Sequence, residues 1–298
     1  MKLTKKIGIG ICIFLFTILW IASANAVDNS SLVAYFSFDT SLSQDDFTGT
    51  YSGSTEGNPV YQTTGCKEDH CYEGDGTGDA VLITGLDSFV ENTYNFTVCA
   101  WIKHDVSGTD TILGMTNDAG GTDNSYSLYE VSSANGGGIW QSAYKSDVRT
   151  RLQDQRLNTA GTMNFLCAGF NTTHLFNYYN GTFSNSTSWT GPTDLTTMSL
   201  RIGASQLSGS PSSSWDGLID EMSFWNTHLS SSQINDLYNS GSGCYLSCIN
   251  TGDAPPENNT APEISLVTPT NNDIFNTTYI IFNATVTSEF EYNCSLYL

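Results

Sequence analysis

The sequence predicts an all-β sandwich. Short apolar runs bounded by Gly, Asn, Asp and Ser recur about every ten to fifteen residues, the spacing of a multi-strand sandwich. The run Asn95–Lys103 alternates strictly, with Phe96, Val98, Ala100 and Ile102 on one face and Thr97, Cys99, Trp101 and Lys103 on the other. The run Trp215–Trp225 carries apolar residues at both parities, as in a strand of a sheet packed on both faces.

In chain order, Met1–Ala26 reads as an export signal. Three lysines precede an apolar stretch, and Ala24-Asn25-Ala26 is a small-x-small cleavage site. The other reading is an uncleaved anchor, although the stretch falls short of the ~20 residues of a membrane span. Leu32–Asp39 is a strand rich in aromatic and branched residues, and 45–57 is polar and loop-like. Cys66–Cys71 closes a small loop, and Asp75-Gly76-Thr77-Gly78-Asp79 is a tight turn. Strands follow at 80–83, 95–103, 111–115, 125–131, 138–143 and 163–170. His174–Tyr179 runs into Asn180-Gly181, a hairpin signal, and Leu200–Gly203 returns towards the last strand.

After Trp225, Ser230 and Gln233 make a capping box. Ile234, Leu237 and Tyr238 then give a short helix one apolar face, and Gly241 ends it. Residues 242–262 are a Pro-containing linker. A new strand pattern begins at Glu263, and 263–298 is too short to close a second sandwich. That segment is expected to be the truncated start of an immunoglobulin-like domain, with the partner of Cys294 outside the sequence.

The chain has 298 residues, with 30 acids against 10 bases and a net charge of −20. Such a balance excludes a general nucleic-acid binder. Export makes cysteine pairs readable as disulfides. Cys66 with Cys71 and Cys244 with Cys248 are near pairs, while Cys99 and Cys167 are either a cross-strand bridge or two buried thiols. Among the N-x-S/T sequons, Asn95, Asn171, Asn180 and Asn185 are candidate glycosylation sites.

Six segments in order resemble the laminin-G-like (concanavalin A-like) jelly-roll family. LVAYFSFD resembles its first strand. DGTGDAV is similar to F-D-G-x-x-D-Y-V, with Gly74 in place of the Phe and Ala80 in place of the Tyr. NFTVCAWIK is similar to F-T-x-x-A-W-V-K, YYNG to Y-x-N-G and LRIGAS to L-x-I-G. DGLIDEMSFWNTHLSSSQINDLY follows the family's closing strand-and-helix pattern nearly throughout. The resemblance spans 27–241 and implies a two-sheet antiparallel jelly-roll sandwich with a short C-terminal helix. It implies that Leu32–Phe38 lies beside Leu218–Trp225, and that Trp101, Phe224, Trp225 and Ile234 are packing residues. It also implies a calcium site at strand ends, with Asp39 and Asp220 as first ligands and Asp75 and Asp79 as turn residues first.

No catalytic constellation is read. Retaining glycosidases need two carboxyl groups ~5 Å apart, and adjacent Asp220 and Glu221 on a regular strand point to opposite faces. Glu68, Asp69 and His70 sit in a solvated loop, and His104, His174 and His228 are scattered. Sugar binding needs exposed aromatic rings, and Trp140, Tyr144 and Trp189 are the candidates, with Tyr126, Tyr129 and Trp215 also available. Lys145, Arg149, Arg151 and Arg156 cluster; they read either an acidic glycan or a solvated sheet face. The expected function is a secreted or cell-surface recognition or adhesion module for a glycan or protein ligand. Any membrane attachment is expected through an anchor outside the sequence. The alternatives are a targeting module of a carbohydrate-active enzyme and a structural surface or virion protein.

Overall fold

The computed structural model describes residues 27–42, 46–91, 93–105, 108–116, 124–132, 137–146, 148–155, 160–194, 199–243, 249–250, 263–268 and 283–287. The predicted signal (1–26), Cys244, Cys248 and Arg156 lie outside them. The chain divides into two compact units, Met1–Ile249 and Asn250–Leu298. In the second, Glu263–Thr268 and Asn283–Thr287 pair antiparallel, with Ile264 opposite Val286. No helix among the described residues is long and apolar enough to cross a membrane.

The first unit is a sandwich of an eight-stranded and a seven-stranded antiparallel sheet. Its strands are β1 (Leu32–Phe36), β2 (Ser52–Glu56), β3 (Val60–Gln62), β4 (Cys71–Asp75), β5 (Ala80–Thr84), β6 (Phe96–His104), β7 (Asp110–Thr116) and β8 (Asn124–Val131). They continue as β9 (Gly138–Lys145), β10 (Val148–Asp154), β11 (Asn164–Phe170), β12 (His174–Tyr179), β13 (Thr182–Ser188), β14 (Leu200–Ile202) and β15 (Asp216–Trp225). The first sheet has the order β13-β12-β11-β6-β15-β4-β3, with β1 also on β15; the second has β10-β9-β8-β7-β14-β5-β2. As expected, the first strand pairs with the last, Phe36 opposite Met222 and Ala34 opposite Phe224.

The alternation in β6 places its two faces in two cores. Phe96, Val98, Ala100 and Ile102 face the second sheet in the main core, with Phe36, Tyr126, Leu128, Phe170, Trp215 and Phe224. Cys99 and Trp101 face outward, where α1 (Ser231–Tyr238) covers them with Ile234 and Leu237. This is why β15 is apolar at both parities. Burying each such large side chain contributes about 1.5–3 kcal/mol. Cys99 and Cys167 sit directly opposite each other on β6 and β11 and form a disulfide, which settles the choice the sequence left open. Cys66 and Cys71 are also bonded, with Cα atoms 5.5 Å apart.

The capping box of α1 forms as read. Ser230 Oγ accepts from the Gln233 N–H, and Gln233 Oε1 accepts from the Ser230 N–H. The helix ends earlier than Gly241, at Asn239, which takes the left-handed conformation with φ 46°. The Asn180-Gly181 turn has a second constraint besides its φ of 73°. A Cβ on Gly181 would lie 2.7 Å from the Tyr238 ring, so glycine also lets α1 approach the hairpin.

Candidate functional site

Strand β15 has β6 along one side. On the other side β4 covers Asp216–Ile219 and β1 covers Met222–Trp225, so Asp220 and Glu221 stand at the gap between two neighbours. There the strand bulges: Asp220 is opposite Trp101 and Ser223 opposite Cys99, which leaves one extra residue. Glu221 takes φ 53°. The bulge corrects the parity expected from the sequence. Ile219, Met222 and Phe224, three and then two residues apart, share the inner core, so strict alternation does not run through Asp220 and Glu221.

In the gap, Asp220 binds the disulfide loop. Its Oδ2 accepts the Lys67 N–H at 2.7 Å and the Glu68 N–H at 3.1 Å, and its Oδ1 accepts the Glu221 N–H at 2.9 Å. Asp39 reaches the same loop, with Oδ1 accepting the His70 N–H at 3.3 Å. Asp39 and Asp220, the calcium ligands that the resemblance implies, thus meet at one loop. A hard cation needs converging oxygens, whereas the groups facing these carboxylates are N–H donors. The Cys66 and Cys71 sulfurs lie within 4.8 Å of an Asp220 oxygen, but a disulfide offers no thiolate. Asp79 accepts the Asn58 and Asp75 N–H groups, and Asp75 accepts that of Thr77; both are turn residues.

Burial pushes the Asp220 carboxyl up to about 8, with the loop N–H bonds opposing the rise and the Asp39 charge adding to it. Burial alone pushes Glu221 to about 8, and its Oε2 has no hydrogen-bond partner. At one rim His104, fully buried at the end of β6, crosses to the second sheet. Its Nε2 is 2.8 Å from Asp110 Oδ2, its Nδ1 is 3.3 Å from Glu130 Oε2, and its ring stacks on Trp215 at 4.7 Å. Burial opposes the imidazolium charge, but the bonds and charges of Asp110 and Glu130 outweigh it and raise His104 to about 9. The sequence showed His104 as isolated because its partners come from other strands. A second buried link joins the sheets: Tyr126 Oη donates to Gln141 Oε1, and Gln141 Nε2 donates to Asn177 Oδ1 and the Phe176 carbonyl.

The aromatic candidates separate by strand parity. On β9, Ile139 and Ala143 turn inward to the core, so Trp140, Ser142 and Tyr144 face outward. Register adds Tyr129 opposite Trp140 on β8, and Gln153, Arg151 and Arg149 opposite Trp140, Ser142 and Tyr144 on β10. Trp140 and Tyr144 are half-buried, with one side open to solvent. The Arg151 guanidinium lies 5.1 Å from the Trp140 ring centre, and Tyr129 meets Trp140 edge-on at 6.3 Å. Two sequence candidates thus meet the basic cluster on one outer face. Trp189 does not join them. It is buried in the main core against Phe170, because the chain after β13 turns in under the rim. Tyr126 and Trp215 are likewise buried. Lys145 Nζ bonds the Thr190 and Gly191 carbonyls and is a strut.

The sequons differ in what their amides already do. Asn180 is spent at both ends: its Oδ1 accepts the Phe165 N–H and its Nδ2 donates to Asn164 Oδ1. Asn171 uses only Oδ1, for Thr173 and His174. Asn185 is exposed, with Nδ2 donating to the Gln153 carbonyl, and Asn95 is half-buried.

Residues 75–235, more than half of the chain, match the profile of the concanavalin A-like lectin/glucanases superfamily. The chain belongs to this superfamily. No curated protein matches it. Among solved structures, this superfamily member is similar to domain 4 of AbnA, a GH43 extracellular arabinanase from Geobacillus stearothermophilus, in complex with arabinotriose. The identity is 20%, the TM-score is 0.53, and 69% of this chain and 97% of that one are covered. It is also similar to the receptor binding domain of a botulinum neurotoxin C/D mosaic serotype, at 15% identity and TM-score 0.55, covering 71% of this chain and 51% of that one. A third similar structure is Trypanosoma rangeli sialidase, at 17% identity and TM-score 0.54, covering 72% and 33%. At these identities the likeness is one of fold.

Proposed function

We propose that the first unit is an exported glycan-recognition module whose ligand lies across the outer face of β8, β9 and β10. The observation that carries this reading is the row of Trp140 and Tyr144, aromatic rings half open to solvent, in a sandwich whose other tryptophans at 101, 189, 215 and 225 are buried. Aromatic faces stack on the C–H faces of sugars, and Gln153 and Tyr129 supply amide and hydroxyl groups beside them. The two rings stand four strand steps apart, about 14 Å at 3.4 Å per residue, which suits an oligosaccharide rather than a single sugar. The two disulfides and the signal-like leader fit an exported module. A glycan array with the wild-type protein and Trp140→Ala tests it. Wild-type binding lost in the variant is expected; binding that Trp140→Ala leaves intact overturns the placement.

A second reading is a targeting module of a carbohydrate-active enzyme. It is favoured by the similar arabinanase domain, which is one domain of a larger extracellular enzyme and was solved with arabinotriose. Depletion of the protein from solution by insoluble arabinan, but not by other insoluble polysaccharides, would select this reading.

A further inference from the structure

The same face has a charge property that a neutral sugar does not require. Six Lys and Arg residues fall among the described residues: Lys67, Lys103, Lys145, Arg149, Arg151 and Arg201. Four have protein acceptors. Arg201 makes a two-pronged pair with Glu56, and Lys103 pairs with Asp105 at 3.1 Å. Lys145 bonds two carbonyls, and Lys67 bonds the Gly241 carbonyl beside the Trp101 ring. Arg149 and Arg151 have neither a carboxylate nor a hydrogen-bond acceptor among the described residues. Arg151 has only the Trp140 ring, and its buried Nε is without a partner.

With 30 acids against 10 bases, acceptors for two arginines are plentiful in this chain. Yet these two stand side by side on β10. Alternate residues of a strand share a face about 7 Å apart, so the two guanidinium groups also repel each other. Both flank the aromatic row: Arg149 is opposite Tyr144, and Arg151 is opposite Ser142 beside Trp140. Guanidinium is the group best suited to two-pronged recognition of carboxylate or sulfate oxygens, and stacking on Trp140 holds one of the pair in place.

We infer that this face takes an anionic glycan, with a sugar ring on Trp140 and a carboxylate or sulfate group held by Arg149 and Arg151. The inference rests on the glycan reading above and names its ligand class.

Titration calorimetry of the unmodified protein, Trp140→Ala, Arg149→Gln, Arg151→Gln and the double Gln variant tests it. The probes are an oligogalacturonate, a sialylated trisaccharide, a sulfated heparin oligosaccharide and neutral arabinotriose, each at low and high salt. The thermal midpoint of every variant is measured to show that it is folded. Binding of an acidic probe is expected, weakened at least tenfold by either single Gln variant and abolished in the double variant. Which acidic probe binds separates a carboxylate from a sulfate ligand. Neutral sugar binding that Trp140→Ala removes and the Gln variants leave unchanged overturns the anionic inference and keeps the glycan reading. No binding by any probe overturns both.

Discussion

Glu221→Gln should make the protein more stable at alkaline pH. In the wild type this carboxyl is about 5% exposed, one oxygen lacks a partner, and burial holds its pKa at about 8 against 4.5 for a free glutamate. The sign follows from the raised value. The folded state holds the proton more tightly, so the contribution is complete below pH ~4.5 and is lost as pH rises to about 8. At about 1.36 kcal/mol per pH unit the ceiling is about 5 kcal/mol. The usual cost of an unsatisfied buried polar group, about 1–3 kcal/mol, sets the expected size. Gln copies the neutral carboxyl in shape and does not titrate. The two proteins should therefore unfold together at pH 5. At pH 8.5 the variant should melt about 2–12 °C higher, given roughly 2–4 °C per kcal/mol for a domain of this size. Calorimetry from pH 5 to 9 reads the difference, and the alkaline loss from His104 cancels because both proteins carry it. Superimposable pH profiles, or a variant less stable at pH 8.5, would refute the burial argument.

His104→Ala should cost about 3–5 kcal/mol near pH 7, because it leaves Asp110 and Glu130 at the rim without their shared cation; urea denaturation reads it. Because His104 titrates at about 9, the wild type's advantage should shrink as pH rises through that value. Replacing Cys99 and Cys167 together by Ala should cost about 4 kcal/mol by loop closure across 68 residues of separation, a loss visible as a lower denaturant midpoint. Expressed in a glycosylating host, the protein should carry glycan at Asn171 and not at Asn180, whose amide nitrogen already bonds Asn164. Peptide mass spectrometry with full occupancy at Asn180 would contradict this.

The main core was legible because its strands alternate. The inner and outer faces of β6 and the capping box of α1 follow from residue spacing, and the pairing of β1 with β15 follows from the family resemblance. Edge strands were not legible. β2, Ser52–Glu56, carries no large apolar side chain, and β10, Val148–Asp154, buries only Leu152 and Asp154. Such strands are set by their ladders to β5 and β9 rather than by their own pattern. Missing β10 also hid the site, because β10 brings Arg149 and Arg151 beside Tyr144 and Ser142. Trp140 and Tyr144, candidates by ring type, are half-buried on an outer face, but Trp189, equally aromatic and equally near a loop, is core. Ring type alone does not report which way a chain turns at a rim. The bulge at Asp220-Glu221 breaks a period-2 reading, and its one signal was an acid pair inside an apolar strand. Asp220 of that pair binds the loop amides of Lys67 and Glu68.

The central claim is that the outer face of β8, β9 and β10 is where the ligand binds. Its most direct test is nuclear magnetic resonance of the labelled protein, titrated with the best glycan from the array. The Trp140 indole N–H and the amides of Ser142, Tyr144, Arg149 and Arg151 should shift together on one binding curve, while the Trp215 indole N–H, buried beside His104, stays in place. A bound glycan that shifts the Cys66–Cys71 loop or the opposite sheet and leaves the Trp140 signal unmoved would contradict the account.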